Sequence, residues 1–269
     1  MRNILEQMKR GYAKIDSLSQ WDSFYNLSPA WFSRLCALYI DNSHRQFTVD
    51  YEFINHIARL TKYRGLGELN ICDPDGLQNF KFLKKISIDQ LSLSSRNLDL
   101  EGLSDTGRIS VLMLRTGQKL YDLTPISSHN ELYTLDIRCK ETGSIRPLNQ
   151  LKQLSSLGLH ASLSDCSELC YLDCFKESQK VDLLLNGNKI HDIDALAHIY
   201  APIINLDSNC ISDLRPLEMI VNHNLHHTYG FEISVRDNPI FPQDRRFVLR
   251  KIRNLPESKG EFPKLKFFL

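Results

Sequence analysis

The sequence lacks any apolar run approaching the ~20 residues that a membrane-spanning helix needs. Its opening stretch, MRNILEQMKRGYAKIDSL, has no apolar core of the secretory-signal kind. Charge bias is also missing: 33 Lys and Arg against 32 Asp and Glu give a formal net charge of +1. That balance argues against nucleic acid as the main partner. No Gly-rich phosphate loop, no H-E-x-x-H pair and no nucleophile elbow occurs, so no enzyme class or cofactor is indicated. Cysteine is present in an odd number, seven at irregular spacing, which favours free thiols and a reducing compartment. The expectation is a soluble cytoplasmic chain, with no cofactor and no small-molecule substrate. Delivery into a host cytosol by a signal-peptide-independent bacterial route would leave the same features.

What is present is a repeated sentence. Leu183-x-Leu185-x-x-Asn188-x-Ile190 returns 21 residues later as Ile204-x-Leu206-x-x-Asn209-x-Ile211. An Asp, an aliphatic residue and a further leucine follow each time: Asp192, Ile193, Leu196, then Asp213, Leu214, Leu217. Alternating aliphatics make a short strand with one buried edge, because side chains alternate faces along a strand. The Asn then turns the chain inward. Its amide supplies donors and an acceptor to backbone groups that burial would otherwise orphan. A single coil cannot bury its own apolar face, so neighbours must stack.

LYDLTPI (Leu120 to Ile126), SIRPLNQLKQLSSLGL (Ser144 to Leu159) and ISDLRPL (Ile211 to Leu217) carry the same signature. On these phrases the chain resembles leucine-rich repeat proteins, and within them the bacterial internalin-like class with repeats of about 22 residues. The clear likeness covers residues 109–240 or so. It implies an α/β solenoid with a curved parallel sheet on its concave face, a helical cap at each end, and protein binding rather than catalysis.

The expected organisation is an N-terminal helical cap over residues 1–62, about eight repeats over 63–240 and a C-terminal cap over 241–269, as one elongated domain. In the first segment, Ser28-Pro29 predicts a helix carrying Trp31, Leu35, Leu38 and Tyr39. A second helix is expected from Asp50 to Tyr63. The aromatics Trp21, Phe24, Tyr25, Trp31 and Phe32 read as cap core, or else as an exposed partner site. The strands are placed by Ile71, Ile88, Leu114, Ile137, Leu159, Leu185, Leu206 and Val235, in steps of 17, 26, 23, 22, 26, 21 and 29 residues. The first step is short for a coil. Turn asparagines are expected at Asn188, Asn209 and Asn238, with Leu91, Gly117, Lys140 and Ser162 in their place upstream.

Two clusters invite chemistry. Cys166, Cys170 and Cys174 read as a packed face rather than a zinc site, which wants four ligands. His223, His226 and His227 read as a surface loop. The tail from Asp244 carries eight Lys and Arg against three Asp and Glu. It is taken as a capping face in which Phe247, Val248, Ile252 and Leu255 cover the last coil. Its alternative role is binding an anionic surface or nucleic acid. An enzyme with a site in the N-terminal segment is a further alternative.

Function is expected on the outward strand positions, whose identity the fold does not dictate. The candidate partner-binding residues are Arg115, Asp136, Arg138, His160, Asp182, Leu184, Asn186, Asn205, Asp207 and Arg236. Arg115 and Arg138 are expected on adjacent strands beside His160, a costly juxtaposition of like charge. Asp136, Asp182 and Asp207, with exposed Leu184 and Ile203, complete a mixed charged and apolar surface that suits a protein partner. The reading is a non-enzymatic module: an adaptor, a bacterial effector, or an inhibitor covering a partner enzyme.

Overall fold

A computed structural model describes residues 2–61, 65–160, 163, 165–172, 181–224, 231–253 and 266–268. The chain divides into two compact units, Met1–Leu132 and Tyr133–Leu269. The aliphatic period of the sequence gives no sign of this division.

The first unit holds α1 (Arg2–Lys9), β1 (Tyr12–Ile15), α2 (Leu18–Tyr25), α3 (Pro29–Phe32), β2 (Ala37–Asp41) and α4 (Tyr51–Leu60). It continues with β3 (Gly65–Cys72), β4 (Ser87–Ser95), β5 (Ile109–Thr116), the two-residue strand β6 (Lys119–Leu120) and α5 (Thr124–Ser127). Strands β1 to β5 pair in parallel in chain order. Their register aligns Ile15, Ile40, Ile71, Leu93 and Leu114, all buried. Strand pairing therefore begins at Tyr12, within the segment expected to be a helical cap. The helix expected to carry Leu38 and Tyr39 stops at Phe32. Leu38 and Ile40 point inward and Tyr39 outward, a period of two that the Trp31, Leu35, Leu38 spacing obscured. The helix expected from Asp50 forms as α4, capped by Asp50, whose carboxylate accepts from Phe53 N at 2.9 Å.

The partner of Ile71 is Leu93, not Ile88, which pairs with Leu66. With Leu93 as the rung, the steps between Ile71, Leu93 and Leu114 become 22 and 21 residues, and the short step disappears. The aromatics at the start mostly form core. Trp21, Phe24 and Phe32 are buried, and Trp21 stacks on Phe47 at 5.6 Å. Tyr25 alone of the five is exposed, and Trp31 is intermediate.

The second unit holds β7 (Thr134–Arg138), the two-residue strand β8 (Glu141–Thr142), β9 (Ser156–His160), β10 (Asp182–Leu184), β11 (Ile203–Asn205), α6 (Leu217–Asn224), β12 (Glu232–Ser234), α7 (Pro242–Arg253) and β13 (Lys266–Phe268). Strands β7, β9, β10, β11, β12 and β13 pair in parallel in that order. Leu135, Leu157, Leu183, Ile204 and Ile233 form one buried line. Each such aliphatic contributes about 1.5–3 kcal/mol on burial. Leu185, Leu206 and Val235 follow as consecutive buried rungs. Their N–H groups donate to the carbonyls of Asn205, Ser234 and Phe268 at 2.8, 2.8 and 2.9 Å. Strand β13 is an addition that the basic tail did not announce.

Two turn chemistries follow the rungs. In the second unit Asn188, Asn209 and Asn238 act as expected. Asn209 Nδ2 donates to the carbonyls of Leu185 (2.9 Å) and Leu206 (3.0 Å), and its Oδ1 accepts from Ile190 N (3.1 Å). Asn188 and Asn238 repeat that pattern on their own and the preceding rung. The residue before each Asn is left-handed: Gly187 (φ 73°), Ser208 (56°) and Asp237 (58°). In the first unit the polar residue comes two after the rung, not three. Asn42, Asp73, Ser95 and Thr116 are buried there; the Ser95 hydroxyl donates to Leu77 O and the Thr116 hydroxyl to Leu98 O. This offset is why Gly117 showed no turn chemistry; Leu91 showed none because it was counted from Ile88 and lies within β4, two residues before the true rung Leu93.

The return arms also share a device. Asp99, Asp122, Asp165, Asp192 and Asp213 each accept from the backbone N–H two residues on, at 2.8–2.9 Å. This is the physical meaning of the Asp in the Asp-Leu-x-Pro-Leu phrase: its carboxylate opens the arm as an Asx turn.

Candidate functional site

Strand register lays out the outward face of the second unit in three rows. One row runs Thr134, Ser156, Asp182, Ile203, Glu232, Lys266. The middle row runs Asp136, Gly158, Leu184, Asn205, Ser234, Phe268. Beyond it lie Arg138 and His160, paired in register, and then Asn186, Asp207 and Arg236 just past their strands.

Much of this face is tied to itself. His160 is buried beside Arg138 rather than outward. Its Nδ1 lies 3.1 Å from the Asn186 carbonyl and its Nε2 3.1 Å from Asp136 Oδ2. The carboxylate holds its pKa above the ordinary value against the pull of burial. Gly158 makes this possible: a β-carbon there would stand 2.7 Å from Asp136 Oδ2. A second network gathers round Asp207. It accepts from the Ser234 hydroxyl (2.5 Å), from Arg236 N (2.8 Å) and from Arg236 Nε (3.1 Å). Its own N–H donates to Asn205 Oδ1 at 3.0 Å, and Arg236 lies 5.4 Å over the Phe268 ring. Sequence reasoning gave Gly158, Ser234 and Phe268 no role; only the glycine within a strand pattern could have signalled a close approach.

Other groups have no such role. Arg138 is exposed and makes no ion pair among the described residues. Asp182 is partly buried and accepts no side-chain hydrogen bond among them; burial, with Glu232 adding repulsion, pushes its pKa up. Leu184 and Ile203 are partly exposed between these charges. In the first unit, Arg115 is exposed at the end of β5, and Met113 is 38% exposed in its middle row. There Tyr39 donates to Glu68 at 2.6 Å, which pushes its phenol up to about 12.

The two clusters singled out for chemistry come apart. Cys166 is buried and its thiol donates to Asp192 O, with burial pushing its pKa up to about 12. Cys170 sits on a 3-10 turn over Ser167–Tyr171, not on an α-helical stripe, and Cys174 lies outside the described residues. His223 belongs to α6, not to a loop, and packs edge-on to Tyr200; His226 and His227 lie outside the described residues. So do Ser162 and Leu255 and the side chains of Phe247, Val248 and Ile252. Among the described residues, no three His, Cys, Asp or Glu side chains are grouped to hold a metal ion. No helix among them is long and apolar enough to cross a membrane. A polar cavity of about 590 Å³ lies among the turns of the second unit, lined in part by Lys140, Asp165, Glu168 and Lys189. Among its three acids, Glu141, Asp165 and Glu168, the last two accept hydrogen bonds from Ser167 and from Ser144 with Ile145.

No family model matches the chain, and no curated protein is similar to it. Solved structures are. An internalin (inlF) from Listeria monocytogenes matches at 17% identity and TM-score 0.46, over 95% of this chain and 67% of that one. An internalin C2 from the same organism matches at 19% identity and TM-score 0.40, over 90% and 84%. A leucine-rich repeat protein from Leptospira interrogans matches at 15% identity and TM-score 0.47, over 95% and 82%. At these levels the likeness says nothing of partner or activity. With in-register parallel rungs and Asx-capped return arms, and in the second unit a ladder of turn asparagines, the chain has a leucine-rich repeat fold.

Proposed function

We propose that this chain is a non-enzymatic protein-binding module whose partner meets the outward strand face of the second unit. The observation that carries the reading is the contrast within that face. Asp136, His160, Asp207 and Arg236 are held by internal bonds, whereas among the described residues Arg138 and Asp182 have no side-chain bonding partner and Leu184 and Ile203 are left partly exposed. A desolvated carboxylate without a partner costs stability, and a cation from another protein would relieve it. Partly exposed aliphatics between opposite charges are the composition of an interface centre with a polar rim. The biological setting that fits is an adaptor, effector or inhibitor acting by rigid complementarity rather than by chemistry.

Site-specific photo-crosslinking tests this. A crosslinking residue at Leu184 or Arg138 captures a discrete protein adduct in cells, and one at exposed Tyr171 on the return-arm side does not. Adducts from Tyr171 alone, with unchanged melting of all three variants, would place the interface elsewhere.

A further inference from the structure

His160 is only 6% exposed, yet both of its ring nitrogens face acceptors. Nδ1 meets the Asn186 carbonyl and Nε2 the Asp136 carboxylate, each at 3.1 Å. Neither a backbone carbonyl nor an ionised carboxylate can donate. A neutral imidazole carries one N–H and serves one of them; the imidazolium serves both. Gly158 keeps the path open, since a β-carbon there would lie 2.9 Å from Nε2 as well. The charged groups that bear on the ring are Asp136 and Arg138, both from β7; the turn after β10 contributes only the neutral Asn186 carbonyl.

We propose that Asp136, His160 and Asn186 form a proton-operated clamp joining β7, β9 and the turn after β10. With the proton on, the ring donates in both directions and neutralises Asp136. When the proton leaves to solvent, the ring keeps a single N–H. The Asp136 side chain, 38% exposed, has water to replace the lost donor, so it is the end that lets go. Release adds one negative charge beside Arg138 on the strand face. That this regulates partner binding rests on the function proposed above; the clamp itself does not.

The sign follows from linkage. The folded-state pKa of His160 lies above its ordinary 6.5. The clamp's contribution is therefore complete below about pH 6.5 and is lost as pH rises through the folded-state value. Asp136→Asn is the discriminating variant. An Asn amide can donate to Nε2 while Nδ1–H donates to Asn186, so a neutral ring satisfies both ends and the loss of stability above about pH 6.5 disappears.

Imidazole 15N NMR titration of the full chain, with melting temperature followed against pH, decides the matter. The expected result is that both His160 nitrogens are protonated at about pH 6.5, with a midpoint above that value. In Asp136→Asn the midpoint drops by about one unit or more, as removal of a neighbouring opposite charge requires. Wild-type melting falls relative to Asp136→Asn as pH rises through the wild-type midpoint. A neutral His160 with a single tautomer at about pH 6.5, or the same midpoint in both proteins, overturns the proposal. Should Asp136→Asn fail to fold, the wild-type titration alone decides. No partner enters the measurement, so a neutral ring refutes the clamp and leaves the binding face standing.

Discussion

Asn209→Ala removes the side chain that ties one rung to the next. The amide donates to two buried carbonyls, those of Leu185 and Leu206, and accepts from the Ile190 N–H, all within 3.1 Å. The residue is 6% exposed, so water reaches these groups poorly. A buried hydrogen bond contributes about 1 kcal/mol net, but each stranded partner costs about 1–3 kcal/mol. Only the Ile190 N–H is stranded, because the Leu185 and Leu206 carbonyls keep the amide donors of Asn188 and Asn238; with their second hydrogen bonds also lost and some relaxation, the total is about 2–4 kcal/mol. That is a large share of the ~5–15 kcal/mol available to a typical domain. Urea unfolding followed by far-UV circular dichroism gives the stability change. Tryptophan fluorescence reports on the first unit, to which Trp21 and Trp31 both belong. Amide hydrogen exchange gives the local effect, with Ile190 N–H losing protection first. A loss under about 1 kcal/mol, with Ile190 exchanging as slowly as in the wild type, would refute the reasoning.

Three more outcomes are expected. Gly187→Ala loses about 1–2 kcal/mol in urea unfolding although nothing lies within 4 Å of the new β-carbon, because φ is 73°. Arg138→Glu leaves the melting curve within about 0.5 kcal/mol of wild type, whereas Asp207→Arg loses about 2–3 kcal/mol by stranding the Ser234 hydroxyl and the Arg236 N–H. Leu206→Asp buries a charge with no partner in the middle of the ladder; it abolishes cooperative folding of the second unit in the same assay.

How much the sequence disclosed depended on which side chain closes the turn. At Asn188, Asn209 and Asn238 one residue type recurs three places after the rung, and the strands there are legible at once. In the first unit the buried closer sits one place earlier and changes identity, from Asn42 to Asp73 to Ser95 to Thr116. A pattern search tuned to the later spacing slides off it. It settled on Ile88, which is also aliphatic and also buried, in place of Leu93. Strand β2 was hidden differently: Trp31, Leu35, Leu38 and Tyr39 satisfy helical spacing although only the first lies in a helix. On the outward face of the second unit, strand alternation placed the residues from Thr134 to Arg236 on their rows. It could not show that Gly158 leaves a hollow into which an imidazole folds, or that Asp207 faces a hydroxyl and a guanidinium from β12 and the turn after it. Exposure there is decided by neighbours distant in sequence, which period alone does not encode.

The account stands on Leu185, Leu206 and Val235 being successive rungs of one parallel ladder. Scalar couplings across hydrogen bonds, measured by NMR on deuterated protein, test this directly. They are predicted from Leu185 N–H to the Asn205 carbonyl, from Leu206 N–H to Ser234 and from Val235 N–H to Phe268. Couplings from these amides to any other carbonyls would contradict the ladder and, with it, the face proposed to bind.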